Sequence, residues 1–423
     1  MRKTYILYIF ILVLAGCSKN QTAGVKIVTT DGRPELYIDG KLTYIKGVGG
    51  EDNIAMAKES GANAFRTWDT RNIQYYLKEA KKNDMYIMMG IKLSKSAADY
   101  YDEIYKDEVR KEVKALAETH KNDPYIFAWG IGNEINILDA NIDATWLFVE
   151  ELAQLIKSVD KRHLVTTVIS HSEAAVKLAI ECAPSLDFIS INSYGKIGQV
   201  ENIFNNLNYA GAFMITEWGV TGFWQTPKTE WDAPVEETSE EKRAIFEKRY
   251  NDYISKYKNC IGSFVFLWGQ KEERTPTWNS MFVEKGVEGL PLNGEKTPMV
   301  EAMQRVWNQI EPAQTAPVIK SFFLNQAIEN VAVPADELMT GEVVAVDREN
   351  DKLTYIWEIL EEASILGIGG SYEPRPKRVG DVVTTDGNTC SFSVPQSGYY
   401  RLYVYVSDNT GFVATANIPF QVR

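Results

Sequence analysis

Residues 126–136 read IFAWGIGNEIN, seven apolar or small residues that run into a carboxamide and a carboxylate, Asn133 and Glu134. A carboxylate at the end of a buried strand is costly to desolvate, so Glu134 needs a reason to be there. It either acts as a first-turn acid after an Asn133 cap, where the helix dipole favours it, or stands in a pocket and moves protons. The neighbouring runs decide between these. NAFRTW (63–68), YIMMGI (86–91), LVTTVIS (164–170), FISINSY (188–194), AFMITEW (212–218) and SFVFLWG (263–269) share the same texture. A first strand ending in YIKGVGG precedes them, after a small hairpin over 25–45.

Between these runs lie amphipathic stretches. In YKDEVRKEVKALAETHKN, Tyr105, Val109, Val113, Leu116 and Ala117 recur at helical spacing with charged residues on the other face. TWLFVEELAQLIKSVDKR and SEEKRAIFEKRYNDYISKYK repeat the pattern. Strands that are mostly apolar suit a parallel sheet covered by helices, and eight such units predict a (β/α)8 TIM barrel. A doubly wound open sheet is the competitor, because the units around 172–212 are weak. After WNQIEPAQTAPVIKS the texture changes to short alternating runs such as EVVAVD, LTYIWEIL and YRLYVYVSD, separated by turn residues. This predicts an all-β, antiparallel sandwich of immunoglobulin or fibronectin type. The expected organisation is therefore a barrel over 25–312 and a sandwich over 313–423. The sandwich reads as a support packed on the barrel rather than a carbohydrate-binding module, with Trp357 in its core.

The start, MRKTYILYIFILVLAGC, has a basic head, an apolar stretch of signal-peptide length and small residues before Cys17. Its end resembles the lipobox of bacterial lipoproteins, which implies cleavage before a lipidated Cys17. Residues 1–17 are then a leader and 18–24 a polar tether, which predicts a lipid anchor in the bacterial cell envelope. An ordinary signal peptide with an incidental cysteine is the alternative. The chain carries 45 Lys and Arg against 57 Asp and Glu, a net charge of −12, and no basic stripe, so nucleic acid is an unsuited partner. Cys182, Cys260 and Cys390 are odd in number and widely spaced, not a disulfide framework, although a Cys182–Cys260 bridge stays open.

Barrel enzymes build their sites at the C-terminal ends of the strands. There the sequence places Arg66, Trp68 and Asp69 on strand two, Asn133 and Glu134 on strand four, and His171 on strand five. Asn192 and Tyr194 end strand six, Glu217 and Trp218 strand seven, Trp268 and Gln270 strand eight. Glu134 and Glu217 then face one another across the mouth.

WGIGNE and ITEWG, with the Tyr after ISIN and the Arg in FRTW, resemble clan A glycoside hydrolases over about residues 42–310, closest to the family 2 and family 5 types. One departure is that family 2 enzymes usually carry sandwich domains before the barrel, whereas here only a hairpin precedes it. The resemblance implies a retaining glycosidase acting on a β-linked oligo- or polysaccharide, with Glu134 as acid/base and Glu217 as nucleophile. It implies Asn133 on the sugar 2-hydroxyl, and Arg66 and Tyr194 donating hydrogen bonds that orient Glu217. Trp268, Trp218, Trp68 and Trp278 are candidate sugar platforms. His171 fits a pocket position without an assigned role. Carboxyls about 5–5.5 Å apart repel by on the order of 3 kcal/mol, about two pKa units, so an ionised Glu217 helps keep Glu134 protonated near neutrality.

Each residue also has a structural reading: Arg66 in an ordinary ion pair, Tyr194, Trp268 and Trp278 as core aromatics, His120 in the turn before strand four. GVGG (47–50) lacks the dinucleotide spacing, three histidines without HExxH or paired spacing give no zinc site, and no GxSxG elbow occurs. No cofactor is expected. Two other functions compete with hydrolysis: a transglycosylase using the same pair, and a non-catalytic surface glycan-binding lipoprotein.

Overall fold

A computed structural model describes residues 24–368, 370–380, 383–384 and 387–423. The expected leader with Cys17, and the tether up to residue 23, lie outside the described residues.

The described chain opens with an antiparallel sheet of β1 (Val25–Thr30), β2 (Arg33–Ile38) and β3 (Lys41–Thr43), so the expected hairpin carries a third strand. Its apolar side chains Val25, Leu36 and Ile38 pack with Ile45, Met88, Phe127, Phe188 and Phe264. Val25 N–H donates to the carbonyl of Arg162, just before a barrel strand begins, at 2.8 Å. This sheet therefore plugs the N-terminal end of the barrel and leaves the C-terminal end for chemistry.

The barrel strands are β4 (Ile45–Gly49), β5 (Ala64–Arg66), β6 (Tyr86–Ile91), β7 (Ile126–Asn133), β8 (Leu164–Ser170), β9 (Phe188–Asn192), β10 (Phe213–Trp218) and β11 (Cys260–Val265). They pair in parallel in chain order, and β11 pairs with β4 to close the ring. Closure excludes the doubly wound sheet. The surrounding helices are α1 (Ile54–Glu59), α2 (Ile73–Asn83), α3 (Glu103–His120), α4 (Asp143–Val159), α5 (Glu173–Cys182), α6 (Val200–Asn206), α7 (Ser239–Asp252) and α8 (Pro298–Asn308). Their starts follow local chemistry: Asp102 caps α3, and Thr238 with Glu241 forms a capping box on α7. The buried face of α3 is Val109, Val113 and Ala117, as its spacing predicts.

One strand is displaced from its expected place. The eighth occupies Cys260–Val265, not 263–269, because the apolar run CIGSFVFLWG is longer than the strand it contains. Trp268 and Gln270 consequently lie in the turn beyond the barrel.

The second unit packs two four-stranded sheets. One is β12 (Val318–Leu324), β14 (Met339–Val346), β17 (Thr389–Phe392) and β16 (Val383–Thr384); the other is β13 (Val331–Val333), β19 (Val413–Val422), β18 (Gly398–Ser407) and β15 (Thr354–Glu361). β13 runs parallel to β19, so the sandwich is mixed rather than purely antiparallel. Trp357 is buried in its core beside Phe322. Leu360, Tyr403, Tyr405 and Val413 on its outer face pack against Val283, Leu290 and Leu292 of the segment following β11. Polar contacts reinforce this seat: Arg401 binds Glu362, Asn417 and the carbonyl of Pro234, and Asn417 donates to Glu236. The sandwich thus rests on the loops after β10 and β11. Cys182, Cys260 and Cys390 are free thiols, so no Cys182–Cys260 bridge forms.

Candidate active site

Both carboxylates stand immediately after an irregularity in a parallel ladder. Along β7, Ile131 is opposite Thr167 but Asn133 is opposite Val168, leaving Gly132 as an extra residue. Along β10, Ile215 is opposite Ile191 and Glu217 opposite Asn192, leaving Thr216 as the extra one. A bulge re-aims the side chains beyond it. Gly132 takes φ +73°, a left-handed backbone that glycine adopts at little cost, and Glu134 itself takes φ +50°. No helix starts at Glu134; α4 begins only at Asp143. The helix-cap reading of Asn133 and Glu134 therefore fails.

Glu217 is 5% exposed and surrounded by donors. Arg66 Nη1 lies 2.9 Å and Trp68 Nε1 2.8 Å from its Oε1, and the Tyr194 hydroxyl donates to its Oε2 at 3.0 Å. Arg66 Nη2 also donates to Asn133 Oδ1 at 2.6 Å, while Asn192 Nδ2 reaches Asn133 Oδ1 at 3.3 Å and Glu134 Oε1 at 3.1 Å. Thr216 Oγ1 donates to Asn192 Oδ1 at 2.9 Å, which fixes that amide. Two donors on Asn133 Oδ1 leave its Nδ2 to donate outward. Asn133, Glu134, Trp68 and Tyr194 are partly exposed, so the group is reachable from solvent.

The electrostatics of the site bear on Glu134. Burial first, and then the charge of Glu217, pushes the Glu134 carboxyl up from 4.5 to about 7; Asn192, Lys95 and Arg66 act in the opposite sense. Desolvation, rather than the neighbouring charge to which the sequence points, is the larger cause. Burial and the same two carboxylates hold the Tyr194 phenol well above its usual range, so it remains a donor.

The aromatic assignments divide. Trp68 is in the site, with the Arg66 guanidinium over its ring at 5.4 Å. Trp218 is 0% exposed and packs on Phe246 and Tyr250 in the helical layer, because its side chain points away from the Glu217 face of β10. Trp268 is likewise 0% exposed, packed on Phe282 with its Nε1 on the carbonyl of Asn53. Trp278 is buried against Phe223. These three support the barrel and cannot offer a face to a sugar, which corrects the platform reading for Trp218, Trp268 and Trp278. The aromatic that packs on the site is Phe266, the first residue past β11, edge-on to Trp68 at 5.8 Å and Tyr194 at 6.1 Å. His171 lies at the rim with Nδ1 2.8 Å from Ser193 Oγ, and burial lowers its basicity. His120 ends α3, in the interior.

Sequence reasoning missed Phe266, and also Lys95, whose charge bears on both Glu134 and Glu217. Lys95 stands in a loop with no periodicity to mark it. Among the described residues, no group of three or more His, Cys, Asp or Glu is arranged to hold a metal ion.

A closed parallel barrel with an Asn–Glu pair on the fourth strand and a donor-ringed Glu on the seventh is the arrangement that the resemblance to clan A glycoside hydrolases of the family 2 and family 5 types implies. Comparison with known proteins agrees. Residues 55–189 match the glycoside hydrolase family 5 β-mannosidase-like family model, a span that holds Arg66, Asn133 and Glu134 but ends before Glu217. Mannan endo-1,4-beta-mannosidase F of Aspergillus clavatus is 32% identical over 68 residues, 16% of each chain. In fold, the chain is similar to a beta-glucuronidase of Bacteroides uniformis, with a TM-score of 0.53 at 13% identity, covering 94% of this chain and 48% of that one. It is also similar to the beta-D-glucuronidase of Dictyoglomus thermophilum, with a TM-score of 0.52 at 14% identity, covering 68% of this chain and 54% of that one. The chain thus spans about half the length of these structural relatives.

Proposed function

We propose that this protein is a retaining β-glycosidase in which Glu134 is the acid/base and Glu217 the nucleophile. The observation that carries this is the contrast between two neighbouring acids. Glu134 holds its proton up to about 7, while Glu217 is ringed by Arg66, Trp68 and Tyr194 as a carboxylate acceptor. Protonated Glu134 gives its proton to the glycosidic oxygen as Glu217 attacks the anomeric carbon, breaking the exocyclic bond and forming a glycosyl ester. Esterification removes the Glu217 charge, so Glu134 becomes more acidic and then takes a proton from the incoming water. In this reading Asn133 Nδ2 binds the sugar 2-hydroxyl.

β-Mannosides are the proposed substrate class, supported by the family model over 55–189 and the mannanase segment. A β-glucuronide is the second reading, favoured by Lys95, a cation near both acids that would suit a sugar carboxylate. The test is hydrolysis of an aryl β-glycoside panel containing both, by wild type and Glu217→Ala. Turnover of one member, lost in the variant, is expected; an inactive wild type or an unaffected variant overturns the assignment. Product analysis at high acceptor concentration separates hydrolysis from transglycosylation, and tight glycan binding with no product would mark a binding protein.

We also propose that Cys17 carries a lipid anchor in the cell envelope, supported by LAGC. Cys17→Ser should then move the protein out of the membrane fraction.

A further inference from the structure

A cleft of about 660 Å³ opens where the loop after β10 meets the sandwich, with Trp224, Trp231, Leu366 and Tyr399 among its lining. Its aromatic faces are available: Trp224 is 56% and Tyr399 48% exposed. Trp231 and Tyr399, from different domains, lie nearly parallel, with ring centroids 6.4 Å and planes 17° apart. One ring of its lining touches the candidate site. Trp224 stands edge-on to Tyr194 at 5.7 Å, and Tyr194 donates to Glu217 at 3.0 Å.

The far wall is fixed in place. Glu373 of the sandwich accepts from Arg274 Nη1 at 3.0 Å and from its backbone N–H at 2.7 Å, and the same guanidinium lies over Phe223 at 4.1 Å. The indole Nε1 of Trp231 is buried with no hydrogen-bond partner among the described residues. Around the rings stand polar groups including Ser364, Gln396, Asp232 and Glu361. Flat aromatic faces set among scattered donors and acceptors suit a pyranose, whose C–H faces are apolar and whose hydroxyls point outward.

We propose that this cleft is a distal saccharide subsite, occupied by units of the same β-linked chain whose scissile bond lies at Glu134 and Glu217. The sandwich then forms part of the substrate site, and oligosaccharides are preferred over single-sugar glycosides. This rests on the glycosidase reading above, with β-1,4-linked manno-oligosaccharides as the probe.

Two measurements on the full chain test it. With wild type, Tyr399→Ala and Tyr399→Trp, the ratio of kcat/KM for a long manno-oligosaccharide to that for an aryl β-mannoside is compared. The ratio should fall about tenfold in Tyr399→Ala, the loss expected for one stacking face, and recover in Tyr399→Trp. An unchanged ratio overturns the proposal. Separately, calorimetric titration of Glu134→Gln with manno-oligosaccharides of increasing length needs no turnover. Affinity should rise with length, and the gain should vanish when Tyr399→Ala is added. Affinity that ignores length, or a gain that survives Tyr399→Ala, overturns the subsite. Failure of the first assay through an inactive wild type concerns the hydrolase assignment alone.

Discussion

Arg66 and Glu217 form an ion pair at 2.9 Å with both side chains almost wholly buried, and the second arm of the guanidinium holds Asn133 at 2.6 Å. One residue on β5 thereby ties the acid of β10 to the carboxamide of β7, and the whole arrangement is set before any substrate arrives. Removing one partner of a buried pair leaves the other charge uncompensated. Arg66→Ala should therefore cost about 3–5 kcal/mol of stability in denaturant unfolding, together with most of the activity. Arg66→Lys keeps a charge but loses the planar fork, so it should recover part of the stability and little of the activity.

Asn133 carries a prediction of a different kind. Its Oδ1 is committed to Arg66 and Asn192, and in the proposed reaction its Nδ2 donates to substrate. A contact that strengthens as charge develops on the sugar acts on the transition state more than on the bound substrate. Asn133→Ala should lower kcat about a hundredfold, the loss typical of one such donor, with a smaller change in KM. Equal losses in binding and turnover would contradict the role.

The proton on Glu134 predicts the pH profile. If Glu134 must be protonated to act, kcat/KM should fall as pH rises through about 7. Lys95 stabilises the ionised form of Glu134, so Lys95→Met should raise the Glu134 pKa and move the alkaline limb to higher pH. A limb that stays in place, or moves down, would show that another group sets it.

Much of this architecture was legible. The strands over 86–91 and 164–170 fall where their apolar runs do, because burial on both faces of a parallel sheet leaves uninterrupted hydrophobic sequence. Glu134 and Glu217 stand out in the sequence because each ends such a run. The bulges at Gly132 and Thr216 were not, since an extra residue in one ladder depends on its partner strand. The eighth strand was misplaced by its long apolar run, and Trp268 was misassigned with it. Trp218 failed for a simpler reason: adjacent residues on a strand point to opposite faces, so Glu217 and Trp218 cannot share the pocket. This gives a stability test. Trp218→Ala should destabilise by about 3–5 kcal/mol, whereas Trp68→Phe, which removes the indole donor to Glu217, should be read mainly in kcat.

The last prediction concerns the seat of the sandwich on the barrel. Glu272 and Glu284, from the segment after β11, interact electrostatically, and Arg375 of the sandwich binds Glu284 at 2.9 Å and Glu358 at 2.8 Å. Burial, then the interaction with Glu284, pushes Glu272 up to about 9. In the unfolded chain a glutamate ionises near 4.3. Between those pH values the folded protein keeps a proton that the unfolded chain has released, so stability falls as pH rises from about 4.5 to about 9 and levels off above. Glu272→Gln removes the titration, so it should flatten this slope and raise the denaturation midpoint at pH 9 relative to wild type. If the midpoints of both proteins fall in parallel between pH 6 and pH 9, Glu272 does not set the slope.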